Sequence, residues 1–361
     1  MSYRNLLNRK LHDFLQDKWN NKNWFSTIMK PLSILTACKV KRRRKLFRKN
    51  SDQIFYPKIP VVIIGNIYLG GTGKTPFVIA AVKALQARGW KPGILSRGYG
   101  IKVGHHARVG IGNLSTCYFG DEPALISCTT GSPISVHPKR ALAAKALLHR
   151  FPETDVIISD DGLQHLELNR DFEIIIQDDR GIGNGLLLPA GPLREPSERL
   201  NEANVIVTNR IAHNKLINSV YNKHKTVFHL DMWLEFTFAR HVEGKHSNRP
   251  LSDFSSKTIF NKIAAAAGIG NPNRFFSSLN AFGIYPTTTL SLPDHYNFSY
   301  SPFKNITADA ILITSKDSIK CSNFKDNRLW EIPVKPRFSN PYFFDYLSDW
   351  LTLNSKTNIK K

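Results

Sequence analysis

The stretch IPVVIIGNIYLGGTGKTPFVIAAVKALQARG, residues 59–89, constrains the fold of this 361-residue chain more than any other. An apolar run of strand length ends in Gly65, a glycine-rich turn follows, and apolar residues then recur at helical spacing up to Gly89. Strand, loop and helix in that order predict the opening unit of a parallel α/β sheet. Gly70, Gly71 and Gly73 lack side chains, so their backbone N–H groups can close around phosphate oxygens at the positive end of the helix. Lys74 is placed to reach the β- and γ-phosphates of a nucleotide and Thr75 to offer its hydroxyl to magnesium. The strict pattern G-x-x-x-x-G-K-[ST] has glycine where this chain has Tyr68, but the core G-G-T-G-K-T is kept. The expected contacts of ATP are therefore Tyr68, Leu69, Gly70, Gly71, Thr72, Gly73, Lys74 and Thr75.

The alternation continues. WKPGILS, DVIISDD, FEIIIQDD and NVIVTN read as buried strands, and HPKRALAAKALLHRF as a helix with a basic face. TVFHLDMWLEFTFARHVEG then reads as two extended segments with no helix between them, a linker hairpin. KIAAAAGIGNPNRFFSSLNAFG repeats strand, glycine-rich turn and helix, and DAILITSKDS adds another strand. The expected architecture is α/β, with two α/β/α sandwiches joined by a short β linker, the first mostly parallel and carrying the phosphate loop. Its boundaries are a basic amphipathic segment at 1–50, a kinase-type unit at 51–222, a hairpin linker at 223–250 and a smaller α/β unit at 251–361.

A magnesium nucleotide site also needs a carboxylate at a neighbouring strand end. DVIISDDG supplies Asp160 and Asp161 at the carboxyl end, where ligands of doubly wound sheets collect. Adjacent residues on a strand end face opposite sides, so the two are expected to differ in role, with the choice of metal ligand left open. Ser96, Arg97 and Tyr99 follow another strand and could meet phosphate or sugar, or simply cap the loop. Arg194 is a further candidate phosphate contact. Glycine-rich loops of this variant form also occur in regulatory ATPases that cycle on membranes. Those carry lysine before the paired glycines, where this chain has Leu69.

Fifty Lys and Arg against 28 Asp and Glu give a net charge of +22, which calls for a polyanionic partner. Residues 1–50 hold fourteen of the basic residues against Asp13 and Asp17. In the same segment Leu6, Leu7, Leu11, Phe14, Leu15 and Trp19 recur at helical spacing, and a second apolar cluster runs from Trp24 to Leu35 ahead of KVKRRRKLFRK. No run approaches the 18 to 20 apolar residues of a spanning helix, and no cleavage signal follows an apolar core. An interfacial segment on an anionic membrane surface is expected, the alternative being a helical arm packed on its own domain. With no nucleic-acid module in the chain, no nucleic acid is expected as partner. The four scattered cysteines signal neither zinc nor disulfides and suit a reducing compartment.

Longer motifs sharpen the function. GNIYLGGTGKTP, SRGYG, GDEP at 120–123, SDDGLQH at 159–165, LPAGPLRE at 188–195, AGIGNPNRFF at 267–276, LPDH at 292–295 and SKD at 315–317 follow one another along the chain. In this order they resemble the tetraacyldisaccharide 4′-kinases of Gram-negative lipid A synthesis. The resemblance covers nearly the whole chain and implies transfer of the γ-phosphate of ATP, with Mg2+, to the 4′-hydroxyl of a tetraacylated glucosamine disaccharide 1-phosphate. It implies Asp121 as the base, His295 as its partner from the second half of the chain, Glu195 as an acid near the magnesium, and His165 as an active-site residue of unassigned role. A lipid acceptor implies a peripheral location on the cytoplasmic face of the inner membrane, with no obligate protein partner. SKD stands where Glu-Lys-Asp or a similar triplet is usual.

Overall fold

The apolar run Val61–Gly65 forms a strand (β1) buried along its whole length, which only a position covered on both faces allows. The computed structural model describes residue 15 and residues 17–211, 227–256, 258–321 and 324–358. The expected apolar positions Leu6, Leu7, Leu11 and Phe14 lie outside them. After β1 come a helix at Lys74–Gln86 (α2), numbered after the front helix Trp24–Lys49 (α1), and strands Pro92–Ser96 (β2) and Arg108–Gly110 (β3). Helices Thr116–Phe119 (α3) and Asp121–Thr130 (α4), strand Ile134–Val136 (β4) and helix Arg140–Arg150 (α5) follow. Then come Val156–Asp160 (β5), Phe172–Asp178 (β6), Val205–Arg210 (β7) and Phe228–Phe236 (β8).

Seven of these strands run parallel in the order β8-β7-β6-β1-β5-β2-β4, with β3 antiparallel at one edge. The order reverses at β1, whose neighbours are β5 on one side and β6 on the other, so a crevice opens beyond its carboxyl end. Ile64 lies in register with Asp160, which sets the phosphate loop beside the paired aspartates. Val62 and Ile64 pack with Phe77 and Val78 of α2 on one face, and Val61 and Ile63 with Ala143, Ala144 and Leu147 of α5 on the other. Each fully buried Val, Ile or Phe contributes about 1.5–3 kcal/mol, so this alternation alone fixes which strand face meets which helix.

The second sheet is built on Ile263–Ala267 (β10), with Thr288–Ser291 (β11) and Ala310–Thr314 (β12) parallel to it and Leu329–Ile332 (β13) parallel to β12. The short strand Arg240–His241 (β9) closes it antiparallel to β13. Its helices include Ser252–Ser255 (α6), Pro272–Ala281 (α7) and Ser315–Cys321 (α8).

Two boundaries differ from expectation. The two extended segments read as a linker hairpin part company: β8 extends the first sheet beside β7, while β9 joins the second. Residues 251–361 also divide, because strand Val334–Phe338 (β14) returns to pair antiparallel with β8, and the last helix, Phe343–Asn358 (α9), packs on the first core. The reason is apolar area. Phe343, Phe344, Leu347 and Leu351 bury against the cluster that holds Phe77 and Phe172, with ring contacts from Phe343 and Phe344 to Phe77.

α1 opens with a reciprocal cap in which Asn23 accepts from the Ser26 amide at 3.1 Å and Ser26 Oγ accepts from the Asn23 amide at 2.9 Å. Its front half leaves Trp24, Ile28, Leu32, Ile34 and Leu35 at least half exposed. Its rear half is tied down, with Arg44 and Arg48 paired to Glu202. The helix is thus packed on its own domain at one end and leaves an apolar stripe open at the other. Among the described residues no helix is long and apolar enough to cross a membrane.

Candidate active site

The glycine-rich loop leaves β1 through Asn66, whose amide donates to the Gly70 carbonyl and to Thr72 Oγ1, both at 3.2 Å. The left-handed positions fall at Gly70 (φ 109°) and Gly73 (φ 90°), not at Tyr68. That is how the loop tolerates tyrosine where a strict motif has glycine. Tyr68 instead turns into the core, 2% exposed, with the Arg180 guanidinium 4.3 Å above its ring and a bridge to Leu193. Its side chain therefore anchors the loop from behind. Arg180 also donates to the Gly71 carbonyl at 3.0 Å. Among the described residues no side chain caps α2, which leaves the N–H groups of its first turn for a ligand.

Lys74 lies 3.5 Å from Asp161, and Arg194 grips the same carboxylate at 2.8 and 3.2 Å. Arg194 also donates to the Asn66 carbonyl at 2.9 Å, so one guanidinium ties the aspartate to the loop. Burial alone would raise the Asp161 carboxyl, but Lys74 and Arg194 overcome it and hold the group far below the usual carboxylate range. Asp160 is the opposite case. Burial, with Glu122 and Asp161 nearby, pushes its carboxyl up to about 7. The wholly buried Arg140 donates to the Asp160 carbonyl and to the His137 carbonyl, both at 2.9 Å, and so pins the end of β5.

Asp161 takes a left-handed backbone at φ 48°, so the two aspartates separate at the strand end and their environments diverge as expected. Among the described residues no group of three or more His, Cys, Asp or Glu could hold a metal. Magnesium does not require one, since one or two carboxylates with a hydroxyl and substrate phosphates suffice. A buried carboxylate repelled by two others, beside the loop that offers Thr75, fits that donor set.

The remaining expected residues fall into two groups. Glu195 is buried and held by Gln164 at 2.8 Å and Arg199 at 3.6 Å. His165 meets Glu167 at 3.3 Å, and burial, reinforced by Arg140, lowers the proton affinity of its ring. Arg97, His165 and Arg194 line a cavity of about 520 Å3 together with Lys139 and with Arg43 and Phe47 of α1, so the basic front helix reaches the site itself. Ser96 is buried at the end of β2 and accepts from the His137 amide at 3.2 Å, a structural position.

Asp121 begins α4, and His295 arrives from the second sheet to place Nδ1 3.2 Å from Asp121 Oδ2. His295 is held in a left-handed conformation at φ 56°, which costs of order 1–3 kcal/mol and marks a residue positioned by its surroundings. The Tyr99 ring lies 4.7 Å from the imidazole. Burial raises the Asp121 carboxyl, but the bonds from His295 and Lys320 outweigh it and leave the group below its ordinary value. The two sheets also touch at the phosphate loop, where a Cβ on Gly270 would lie 3.2 Å from the Gly71 amide.

Several residues of this surround have no role expected from the sequence. Asn209 at the end of β7 donates to the Thr72 carbonyl at 3.0 Å, and Arg274 of α7 binds Asn209 Oδ1 at 2.8 Å. Asn209 had a signal, a polar residue at the carboxyl end of a buried strand. Lys320 had none.

A phosphate loop at a sheet switch point, a strand-end aspartate pair and an Asp–His pair reached across two units define a P-loop phosphotransferase. Comparison with known proteins narrows the class. Residues 25–352 match the family model described as tetraacyldisaccharide-1-P 4′-kinase, and the chain belongs to that family. It is 52% identical over 335 residues to the tetraacyldisaccharide 4′-kinase of Bordetella petrii, covering 92% of this chain and 94% of that one. Its identity to the protein of that name from Herminiimonas arsenicoxydans is 37% over 347 residues, covering 92% and 94%. The crystal structure of LpxK from Aquifex aeolicus in complex with ATP superposes with a TM-score of 0.74 at 25% identity, covering 91% of this chain and 98% of that one. The chain is thus a phosphotransferase with an alcohol group as acceptor.

Proposed function

We propose that ATP binds with its phosphates in the loop Gly70–Thr75 and its γ-phosphate at Lys74, and that the acceptor is the 4′-hydroxyl of a tetraacyldisaccharide 1-phosphate held against Asp121. The observation that carries this reading is the approach of His295 to Asp121 at 3.2 Å, made by two units that also touch at Gly270 and Gly71. A sugar hydroxyl is a poor nucleophile, and in a loose phosphoryl-transfer transition state it needs positioning more than early deprotonation. An aspartate of low proton affinity suits that task. Its Oδ2 is engaged by His295 and Lys320, so Oδ1 is the oxygen with capacity for the hydroxyl, whose proton it takes late in the transfer.

Thr75 and Asp160 would hold magnesium, which would supply charge neutralisation at the transferring phosphate. Asp161 is committed to Lys74 and Arg194, which leaves Asp160 as the ligand. Glu195 orders Gln164 and Arg199 behind it. The cavity lined by Arg43, Arg97, Lys139 and Arg194 suits the anionic headgroup of the disaccharide, and the exposed stripe Trp24, Ile28 and Leu35 suits an anionic membrane surface on the cytoplasmic side. Radiolabelled ATP and the disaccharide 1-phosphate in mixed micelles should yield a product bearing a second phosphate. ATP binding without any transfer to that acceptor would sink the reading. Replacing Trp24, Ile28 and Leu35 with serine should slow turnover of vesicle-borne acceptor by about tenfold and leave ATP affinity unchanged, as expected for lost interfacial burial.

A further inference from the structure

The sequence Ser315-Lys316-Asp317 opens α8 on the second sheet, and none of its residues has a role in the reading above. We propose that Lys316 and Lys320, four residues apart on that helix, are positioning residues that lock the Asp121–His295 pair into a single tautomer and a single aim. This rests on the reading of Asp121 as the group that meets the acceptor hydroxyl.

Lys316 Nζ has three hydrogens and meets three acceptors: Asp294 Oδ1 at 2.9 Å, Glu122 Oε1 at 3.2 Å and His295 Nε2 at 3.4 Å. An ammonium group can only donate, so Nε2 must present its lone pair. The hydrogen of the neutral ring then sits on Nδ1 and points at Asp121 Oδ2. The opposite tautomer would set a nitrogen lone pair against a carboxylate oxygen and lose the bond that aims the aspartate. Asp294 could favour that tautomer by accepting from Nε2, which lies 3.9 Å from its Oδ1. Lys316 donates to that same oxygen and to Nε2, and so competes with that arrangement.

Lys320 acts on the other member of the pair. Its Nζ donates to Asp121 Oδ2 at 3.0 Å and to the Tyr296 carbonyl at 3.2 Å, above the Phe298 ring at 4.9 Å. Its position is therefore fixed from three sides. Glu122 and Asp121 belong to the first unit, whereas Asp294, His295 and both lysines belong to the second. The clamp forms only where the two units meet, so it couples their closure to the competence of the base.

Next in the chain, Asp317 accepts from the Gly268 amide at 2.9 Å and Thr314 Oγ1 at 2.7 Å. The turn that contains Gly268 continues to Gly270 against the phosphate loop. One short helix thus holds both the dyad and the segment that faces the nucleotide.

The test is 15N-histidine NMR of the whole chain beside steady-state kinetics of Lys316→Met, Lys316→Arg and Asp121→Asn. In the parent protein His295 should show the Nδ1–H tautomer alone. Lys316→Met should introduce the Nε2–H form and lower kcat by about tenfold or more, with the KM for ATP held within about threefold, the split expected when orientation and not binding is lost. Lys316→Arg should recover most of the turnover. A normal kcat in Lys316→Met, or a loss equal in the Met and Arg variants with the tautomer unchanged, overturns the clamp. Should Lys316→Met not fold, Lys320→Met carries the test through the same kcat-against-KM split, and normal turnover there overturns it equally. Asp121→Asn separates the levels: a silent Lys316→Met beside an inactive Asp121→Asn removes only the clamp, whereas full activity of Asp121→Asn removes the base beneath it as well.

Discussion

The molecule contains the same local plan twice, and the two copies use it differently. In β1–α2 and in β10–α7 a buried strand runs into a glycine-rich turn and then a helix. The first helix begins at Gly73 with no side-chain cap, while the second begins at Asn271, whose side chain accepts from the Arg274 amide at 3.3 Å. An uncapped helix start keeps its N–H groups for an anion, and a capped one has already spent a donor on its own chain. The basic side chains diverge too. Lys74 points to a titratable strand end, whereas Arg274 is consumed by the Asn209 and Arg210 carbonyls. A strand-turn-helix pattern is therefore only a scaffold; the missing cap, and a lysine paired to a strand-end aspartate where the second copy has an arginine bound to carbonyls, set the first copy apart as the one suited to phosphate.

Substitutions on the two copies should separate accordingly. Lys74→Ala should lower turnover by at least about a hundredfold, the scale for losing charge stabilisation at a transferring phosphoryl group, as measured by initial rates at saturating acceptor. Asp121→Ala should cost a similar factor through the acceptor alone. Gly73→Ala meets both a left-handed backbone and the Asn209 amide, 2.1 Å from the new Cβ. A loss of about 1–3 kcal/mol is expected in denaturant unfolding, together with weaker ATP binding. In the second copy, Asn271→Ala should cost about 1 kcal/mol of stability and leave ATP affinity within a factor of about two. Equal damage to nucleotide binding from Asn271→Ala would dissolve the distinction.

Much of this was legible because local chemistry carried it. Apolar runs of four or five residues marked β1, β5, β6, β7, β10 and β12, and glycine spacing marked the loop. Asp121 and His295 were legible only through the family resemblance, since a turn aspartate and a loop histidine some 170 residues apart have no local signature. The return of β14 and α9 to the first sheet escaped for a related reason. VKPRF alternates but is short and contains Pro336, so nothing local says which of two sheets it will edge. Arg274 and Lys320 work through contacts between units, and no spacing within either unit encodes their partners. Tyr68 falls within the expected nucleotide contact, but its buried side chain supports the loop from the protein side.

The central claim is that the first unit binds the donor while the pair shared between units handles the acceptor. Equilibrium binding of a fluorescent ATP analogue to Asp121→Ala, beside its rate of phosphoryl transfer, tests this most directly. Affinity within about twofold of the parent with transfer reduced at least about a hundredfold is the predicted result. Loss of nucleotide affinity in step with transfer would contradict it and place Asp121 in the donor site.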